Sequence, residues 1–433
     1  MRISFVGLIL FIFSFSAFSA AKIEHWKTKQ NSAVFYVETQ GLPMVDIRVV
    51  FDAGSARDGY QQGLASLTSA LLNTGAGDLN ADQIAQQFEN VGAQFGAGVS
   101  RDMAWLSLRS LTDKKLLNSA LQTMQTIIAE PKFNENDFQR EKSRRLASLK
   151  HREESPAAIA NMAFFNTLYK DHPYAHPSSG IVETVSGFTA ENLKDFYKQF
   201  YVASNAMVVI VGDVGQKQAK EIAELLVANL AAGDVPVALP EVSFSRTGVD
   251  QHIEFPSAQT HVLAGVIGKH RKDKDYFDLY VGNHILGGSG LVSQLFAEVR
   301  EKRGLAYSAY SYFSPMLRKG PFTMGLQTRN DQTAEAVKVM KNTLKQFVDK
   351  GPTEKALIAA KKNITGGFVM RFDTNRKLTS YVSMIGFYKL PLDYLDKFQE
   401  KIESVTVESI KDAFKRRVKP EFIHTITVGG GAS

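Results

Sequence analysis

The sequence predicts an α+β fold made of two homologous halves. Three observations carry this. Thr189-x-Glu191-x-Leu193-Lys194-Asp195 recurs as Thr406-x-Glu408-x-Ile410-Lys411-Asp412, and Val211-Gly212 recurs as Val428-Gly429. The offset is 217 residues both times, from 189 to 406 and from 212 to 429. Hairpin strands and long helices are also mixed within each half instead of alternating strictly, which is α+β layering. Finally, 433 residues with 44% hydrophobic and 22% charged side chains form an ordinary globular composition, long enough for two or three domains and a sizeable core.

In chain order, Met1-Arg2 is a short positive start. An apolar run over 5–18, broken only by Gly and Ser, leads to the small residues Ser19-Ala20-Ala21. This reads as a secretory signal peptide over 1–21, removed to leave a mature chain beginning near 20–22. The run is short for a membrane anchor, and no later stretch is long and apolar enough to span a bilayer. The chain has no cysteine, which excludes disulfides, thiolate ligands and a lipid-modified cysteine. An exported chain of this kind is held by its core alone and fits a periplasmic or secreted location. The net charge of +7 comes from scattered basic residues. They are not interleaved with exposed aromatics, so no nucleic-acid surface is predicted.

Strands are expected over 33–37 and 45–51, the second closing at the turn Ala53-Gly54-Ser55. Helices follow over 63–72, with Leu64, Leu67, Leu71 and Leu72, and over 81–91, with Ile84, Phe88 and Val91 on one face. Hairpin strands over 95–99 and 103–108 precede two long helices, 114–129 and 134–151. His172 and His176 have the four-residue spacing of a helical metal pair. Pro173 and Pro177 argue against the regular helix that would present them, so no metal pair is expected here. A helix over 189–200 leads to a buried strand over 206–211. Residues 231–250, with Gly233, Pro236 and Pro240, read as a linker between an N-terminal domain, 22–230, and a C-terminal domain, 251–433.

The most informative stretch is 283–313. The turn Gly287-Gly288-Ser289-Gly290 opens it. Leu291, Val292, Leu295, Phe296 and Val299 then follow helical spacing, Lys302 and Arg303 fill a last turn, and Gly304 stops the helix. A Tyr- and Phe-rich strand is expected over 306–313. Arg300 near the helix end and Tyr307 near the strand start can converge across the Gly304 turn. By spacing alone, Arg300 also fits a solvated charge run, Arg-Glu-Lys-Arg. Tyr310 and Tyr312 fall on the opposite face of an ideal strand from Tyr307 and read as packing or chamber wall.

Taken together, an ILGG turn followed by LF-x-E-x-REK-x-GLAYS resembles the C-terminal-domain signature of the pitrilysin/insulinase family of zinc metallopeptidases, which includes the mitochondrial processing peptidases. The resemblance covers essentially all of the mature chain. It implies two domains, each a mostly antiparallel sheet covered by helices. It also implies that Arg300 and Tyr307, seven residues apart, reach across a chamber to substrate at a zinc ion.

The family's zinc site does not match. Its His-x-x-Glu-His should begin after Gly63-Leu64-Ala65, where the sequence reads Ser66-Leu67-Thr68-Ser69-Ala70. Ser66, Ser69 and Ala70 stand at the two histidine positions and the glutamate. Serine is a poor zinc ligand and alanine none. The third ligand position falls near Ala147-Ser148, with Glu153 and Glu154 out of register. No register shift restores the motif, because no histidine lies between His25 and His151.

Retaining the Arg/Tyr pair without zinc ligands resembles the metal-free partner in a two-chain peptidase. The expectation is a chain with no cofactor of its own, paired as a heterodimer with a homologous zinc-binding subunit and acting on unfolded peptides. Two other readings remain: a scaffold or peptide-binding protein, as the family's respiratory-complex core proteins have become, and a metallopeptidase in its own right.

Overall fold

The computed structural model describes residues 22–243 and 246–430. The expected signal peptide lies outside them. The first half contains β1 (Glu24–Lys27), β2 (Ala33–Glu38), β3 (Met44–Phe51) and α1 (Leu64–Leu71). Next come a small hairpin of β4 (Gly75–Ala76) and β5 (Leu79–Asn80), α2 (Ala81–Glu89), β6 (Gln94–Val99) and β7 (Ala104–Leu111). Then follow α3 (Lys114–Ala129), α4 (Glu135–Glu153), α5 (Pro156–Tyr169), α6 (Val182–Ser186), α7 (Ala190–Phe200), β8 (Ala206–Gly212) and α8 (Gln216–Val227). The second half contains β9 (Asp250–Glu254), β10 (Gln259–Ile267), α9 (Tyr276–Asn283), α10 (Gln294–Phe296), β11 (Ala306–Phe313) and β12 (Pro321–Arg329). It ends with α11 (Thr333–Lys350), α12 (Glu354–Gly366), α13 (Asn375–Phe387), α14 (Phe398–Glu403), α15 (Val407–Arg417) and β13 (His424–Gly429).

The two large sheets share one design. The first runs β1-β2-β8-β3-β7-β6, and the second, read from its far edge, runs β9-β13-β10-β12-β11. In each, one parallel pair (β2 with β8, β9 with β13) sits in an otherwise antiparallel sheet. The repeated sequence motif marks equivalent helices. Thr189 and Thr406 each cap a helix and close a reciprocal capping box, with Asn192 and with Ser409. β1 is an extra edge strand that the sequence pattern did not signal.

The halves exchange a helix. α5 of the first packs on β10 and β13 of the second, and α13 of the second packs on β3 and β8 of the first. The unbroken apolar run of β8 is therefore buried on both faces. Val208 and Ile210 enter the core of the first half, while Met207, Val209 and Val211 join the core shared with the second. Residues 231–243 carry no regular secondary structure, but they are laced down. Leu239 and Val242 are buried, Arg57 donates to the Val237 carbonyl at 2.6 Å, and Arg318 Nε donates to the Leu239 carbonyl at 2.7 Å. Asp250, expected to end the linker, opens β9.

A polar pin joins the halves. Asp102, in the β6–β7 turn, is 2% exposed. It accepts from the hydroxyls of Tyr174 and Tyr388 and from the Leu317 N–H, the last two at 2.8 Å. Burial pushes its carboxyl above the ordinary range, and these donors pull it back.

A second polar cluster ties α9 to α15. Arg416 holds Asp275 bidentately at 2.6 and 2.8 Å, Arg417 Nε donates to it at 2.7 Å, and Arg417 reaches Asp273 at 2.8 Å. Bonding to Arg416, and then to Arg417, holds the Asp275 carboxyl down from 3.8 to about 2. The folded value lies below the unfolded one, so this stabilisation is full above the unfolded value and is lost as pH falls toward 2. Asp275→Asn is expected to cost about 1–3 kcal/mol at pH 7. Urea unfolding at pH 7 and pH 3 checks this, with the gap between variant and wild type narrowing at the lower pH.

Candidate functional site

The stretch over 283–313 forms the site, though not as one regular helix. After α9 the backbone makes a π-helical turn, His284–Gly288, and a 3-10 turn, Gly290–Val292. Ser293 then takes an extended conformation, and its hydroxyl accepts the Phe296 N–H at 3.3 Å. This cap starts a fresh helix, α10, which continues as a π-helical turn over Ala297–Glu301. The expected amphipathic helix is therefore corrected at its start. Leu291 and Val292 precede the cap and are 66% and 84% exposed, whereas Leu295, Phe296 and Val299 are buried as their spacing predicts. A Cβ at Gly287 would stand 2.4 Å from the Ser311 hydroxyl, so glycine lets this turn press against β11. Asn283 and Ser311 lock the contact with bonds of 3.1 and 2.7 Å.

Gly304 takes φ +64, the left-handed conformation a helix stop requires. Its N–H bonds the Arg300 carbonyl at 2.9 Å, and the Leu305 N–H bonds the Val299 carbonyl at 3.0 Å. The chain turns directly into β11, and Arg300 and Tyr307 meet. The guanidinium carbon lies 4.3 Å from the Tyr307 ring centroid and 5.0 Å from that of Phe296. Tyr307 is 81% exposed. Glu298 is engaged by Lys302 at 2.6 Å and by Arg303 at 2.7 Å. Among the described residues Arg300 has no carboxylate partner. The charge run thus divides: Lys302 and Arg303 neutralise Glu298, and Arg300 stays unpaired over an aromatic platform. Phe296, which spacing marked only as core, forms part of that platform.

β11 is an edge strand and it is bulged. Ala306 pairs with Thr328 and Ala309 with Leu326, so three steps on β11 match two on β12. The extra residue shifts the side-chain alternation after Tyr307. Ala309 and Ser311 turn inward, and Tyr310 and Tyr312 join Tyr307 on the outward side, each 39% exposed, with ring centroids 5.9 Å apart. The ideal-strand expectation of opposite faces is corrected by this bulge; the Tyr310 ring packs over Gly325, and both rings keep an exposed edge.

At the other expected site, Asp58 accepts the N–H groups of Gly63 and Ala65 at 2.8 and 2.7 Å, anchoring the start of α1. Ser69 is buried, and Ser66 and Ala70 are half-buried. This helix lacks the imidazole and carboxylate donors that zinc requires. Among the described residues no group of three or more His, Cys, Asp or Glu could hold a metal ion. His172 and His176 sit in a loop. His172 Nδ1 accepts the Tyr174 N–H and its Nε2 lies 3.1 Å from the Pro240 carbonyl, so the ring fastens the linker as a neutral imidazole. No helix of the described residues is long and apolar enough to cross a membrane. Metal analysis of the purified chain is expected to find far less than one zinc per chain, and chelation is expected to leave its circular dichroism unchanged. About one zinc per chain would contradict this.

Comparisons with known proteins agree with the architecture. The family profile "Insulinase (Peptidase family M16)" matches residues 33–180, and "Peptidase M16 inactive domain" matches 187–364. A crystal structure described as a peptidase M16 inactive domain from Pseudomonas fluorescens superposes with a TM-score of 0.92 at 35% identity, covering 95% of this chain and 98% of that one. A Helicobacter pylori relative described as a "Non-peptidase homolog YmxG" is 26% identical, over 93% of each chain. The periplasmic protease PqqL from Escherichia coli shares the fold, with a TM-score of 0.80 at 16% identity over 95% of this chain and 46% of that one. The chain belongs to the insulinase family, peptidase family M16.

Proposed function

We propose that this chain is the zinc-free subunit of an exported, periplasmic two-chain metallopeptidase. In this reading it presents Arg300 and Tyr307 to peptide held at the zinc of a homologous chain that carries His-x-x-Glu-His. The observation that carries the proposal is the unpaired Arg300 guanidinium resting on the exposed Tyr307 ring. The leader-like residues 1–21 support export, and the fold neighbour PqqL is described as a periplasmic protease.

The partner's zinc would polarise the scissile carbonyl and supply the attacking water. Arg300 is permanently charged and presents a planar fork of donors, suited to a carbonyl oxygen whose negative charge grows in the transition state. Stacking on Tyr307 and Phe296 restricts the guanidinium before substrate arrives. The Tyr307 hydroxyl adds one donor beside it. Neither group generates a nucleophile, so the pair acts only where another chain supplies one.

Co-expression with such a homologue tests this. The two chains should co-elute on gel filtration, and an unfolded peptide should be cleaved by the mixture and by neither chain alone. Full activity of the zinc-bearing chain by itself would leave this chain a scaffold.

A further inference from the structure

Away from Arg300, the face of the first sheet that meets the second half carries a small basic slot of about 340 Å³. Strand register builds it. Gln94, Arg109 and Asp46 lie side by side across β6, β7 and β3, and Gly96, Ser107 and Arg48 form the next row. Gly96 and Ser107 are too short to fill the space beside Arg48, which leaves the floor open. Trp105, paired with Val50 and Gly98, walls the following row, with the Arg48 guanidinium carbon 5.6 Å from its ring centroid. Arg376, in the first turn of α13, closes the slot from the other half and donates to the Gln94 amide oxygen at 2.6 Å. The N-terminus of the thirteen-residue α13 adds its positive dipole end.

The charges do not balance. Asp46 is taken bidentately by Arg109, at 3.0 and 2.8 Å. Arg48 and Arg376 have no carboxylate partner among the described residues. The Arg48 Nε–H is buried and makes no hydrogen bond. A buried donor left unmade is costly, and burial already lowers the pKa of this guanidinium. An acceptor entering the slot would satisfy both needs.

We propose that this slot binds a carboxylate, and that the carboxylate belongs to a peptide, either its C-terminus or an acidic side chain. A guanidinium offers two parallel N–H groups to the two oxygens of a carboxylate, a match that its charge strengthens. The excess of two positive charges, to which the α13 terminus adds its positive dipole end, attracts an anionic group. The inference deepens the proposed function by naming the peptide group recognised, a free carboxylate, and it rests on that reading only for the ligand being a peptide.

The chain has two tryptophans, so Trp26→Phe leaves Trp105 as a reporter beside Arg48. In this background, fluorescence is titrated with peptide pairs that differ only in a free or amidated C-terminus, or in Glu or Gln. Acetate and inorganic phosphate are titrated alongside. The free-carboxylate or Glu peptide should bind at least tenfold more tightly than its neutral twin, and the preference should weaken with salt. Arg48→Met should abolish the preference with circular dichroism unchanged, and Arg376→Gln, at a more exposed position, should weaken it severalfold. Equal binding of neutral and charged twins, or an unchanged preference in both variants, would overturn the site. Phosphate or acetate binding as tightly as the peptide would overturn the peptide source. No cleavage is measured, so these outcomes are independent of whether the chain supports a peptidase.

Discussion

Replacing Arg300 with Ala, or Tyr307 with Phe, is expected to leave this chain folded and able to bind its partner, while the complex loses on the order of tenfold to a thousandfold in turnover. Arg300 is half-buried, and among the described residues its guanidinium makes ring contacts with Phe296 and Tyr307 and no ion pair, so its removal leaves no charged group without a partner. Tyr307→Phe keeps the ring beneath Arg300 and deletes only the hydroxyl, which isolates the value of that donor. Arg300→Lys keeps the charge and loses the planar fork, and should recover little activity. The readout is kcat of wild-type and variant complexes at matched assembly on gel filtration. A fall in kcat with unchanged assembly marks groups used in the transition state. Wild-type turnover in both variants would leave Arg300 and Tyr307 without a catalytic role.

Asp102→Ala is expected to be the most destabilising single change outside the apolar core, by about 3–5 kcal/mol. The carboxylate is buried and accepts from Tyr174, Tyr388 and the Leu317 N–H. Tyr388 and Leu317 come from the second half, so the variant should also loosen one half from the other. Urea unfolding followed by fluorescence should show a lower midpoint and a split or broadened transition. Tyr388→Phe removes one donor and should cost far less. A loss below about 1 kcal/mol in Asp102→Ala would mean that solvent reaches the site and replaces the carboxylate.

Much of the fold was legible because local chemistry repeats. The Thr189 and Thr406 motifs are helix caps, and they recur because equivalent helices begin there. Gly304 was legible as a stop because a left-handed residue is needed at that point. The residue types at Ser66, Ser69 and Ala70 are read directly from the sequence, and the expectation of no zinc in this chain rests on them.

What escaped the sequence depends on neighbours far away in the chain. The β11 bulge exists only relative to β12, so Tyr310 and Tyr312 were placed on the wrong face. Leu291 and Val292 fit helical spacing, and only the Ser293 cap cuts them off. That serine was a readable signal, since serine commonly begins a helix. Asp102 looks like an ordinary turn residue until the second half folds over it. The pairing of Glu298 with Lys302 follows i,i+4 spacing, but the seat of Arg300 on Tyr307 depends on the turn into β11.

The most direct test of the central claim is a titration. A fixed amount of the homologous zinc-bearing chain is mixed with increasing amounts of this chain, and the initial rate of unfolded-peptide cleavage is measured. The rate should be near zero without this chain and rise to a plateau at a fixed stoichiometry, and the Arg300→Ala chain should assemble but give a much lower plateau. A rate independent of added chain, or one restored equally by wild-type and Arg300→Ala, would contradict it.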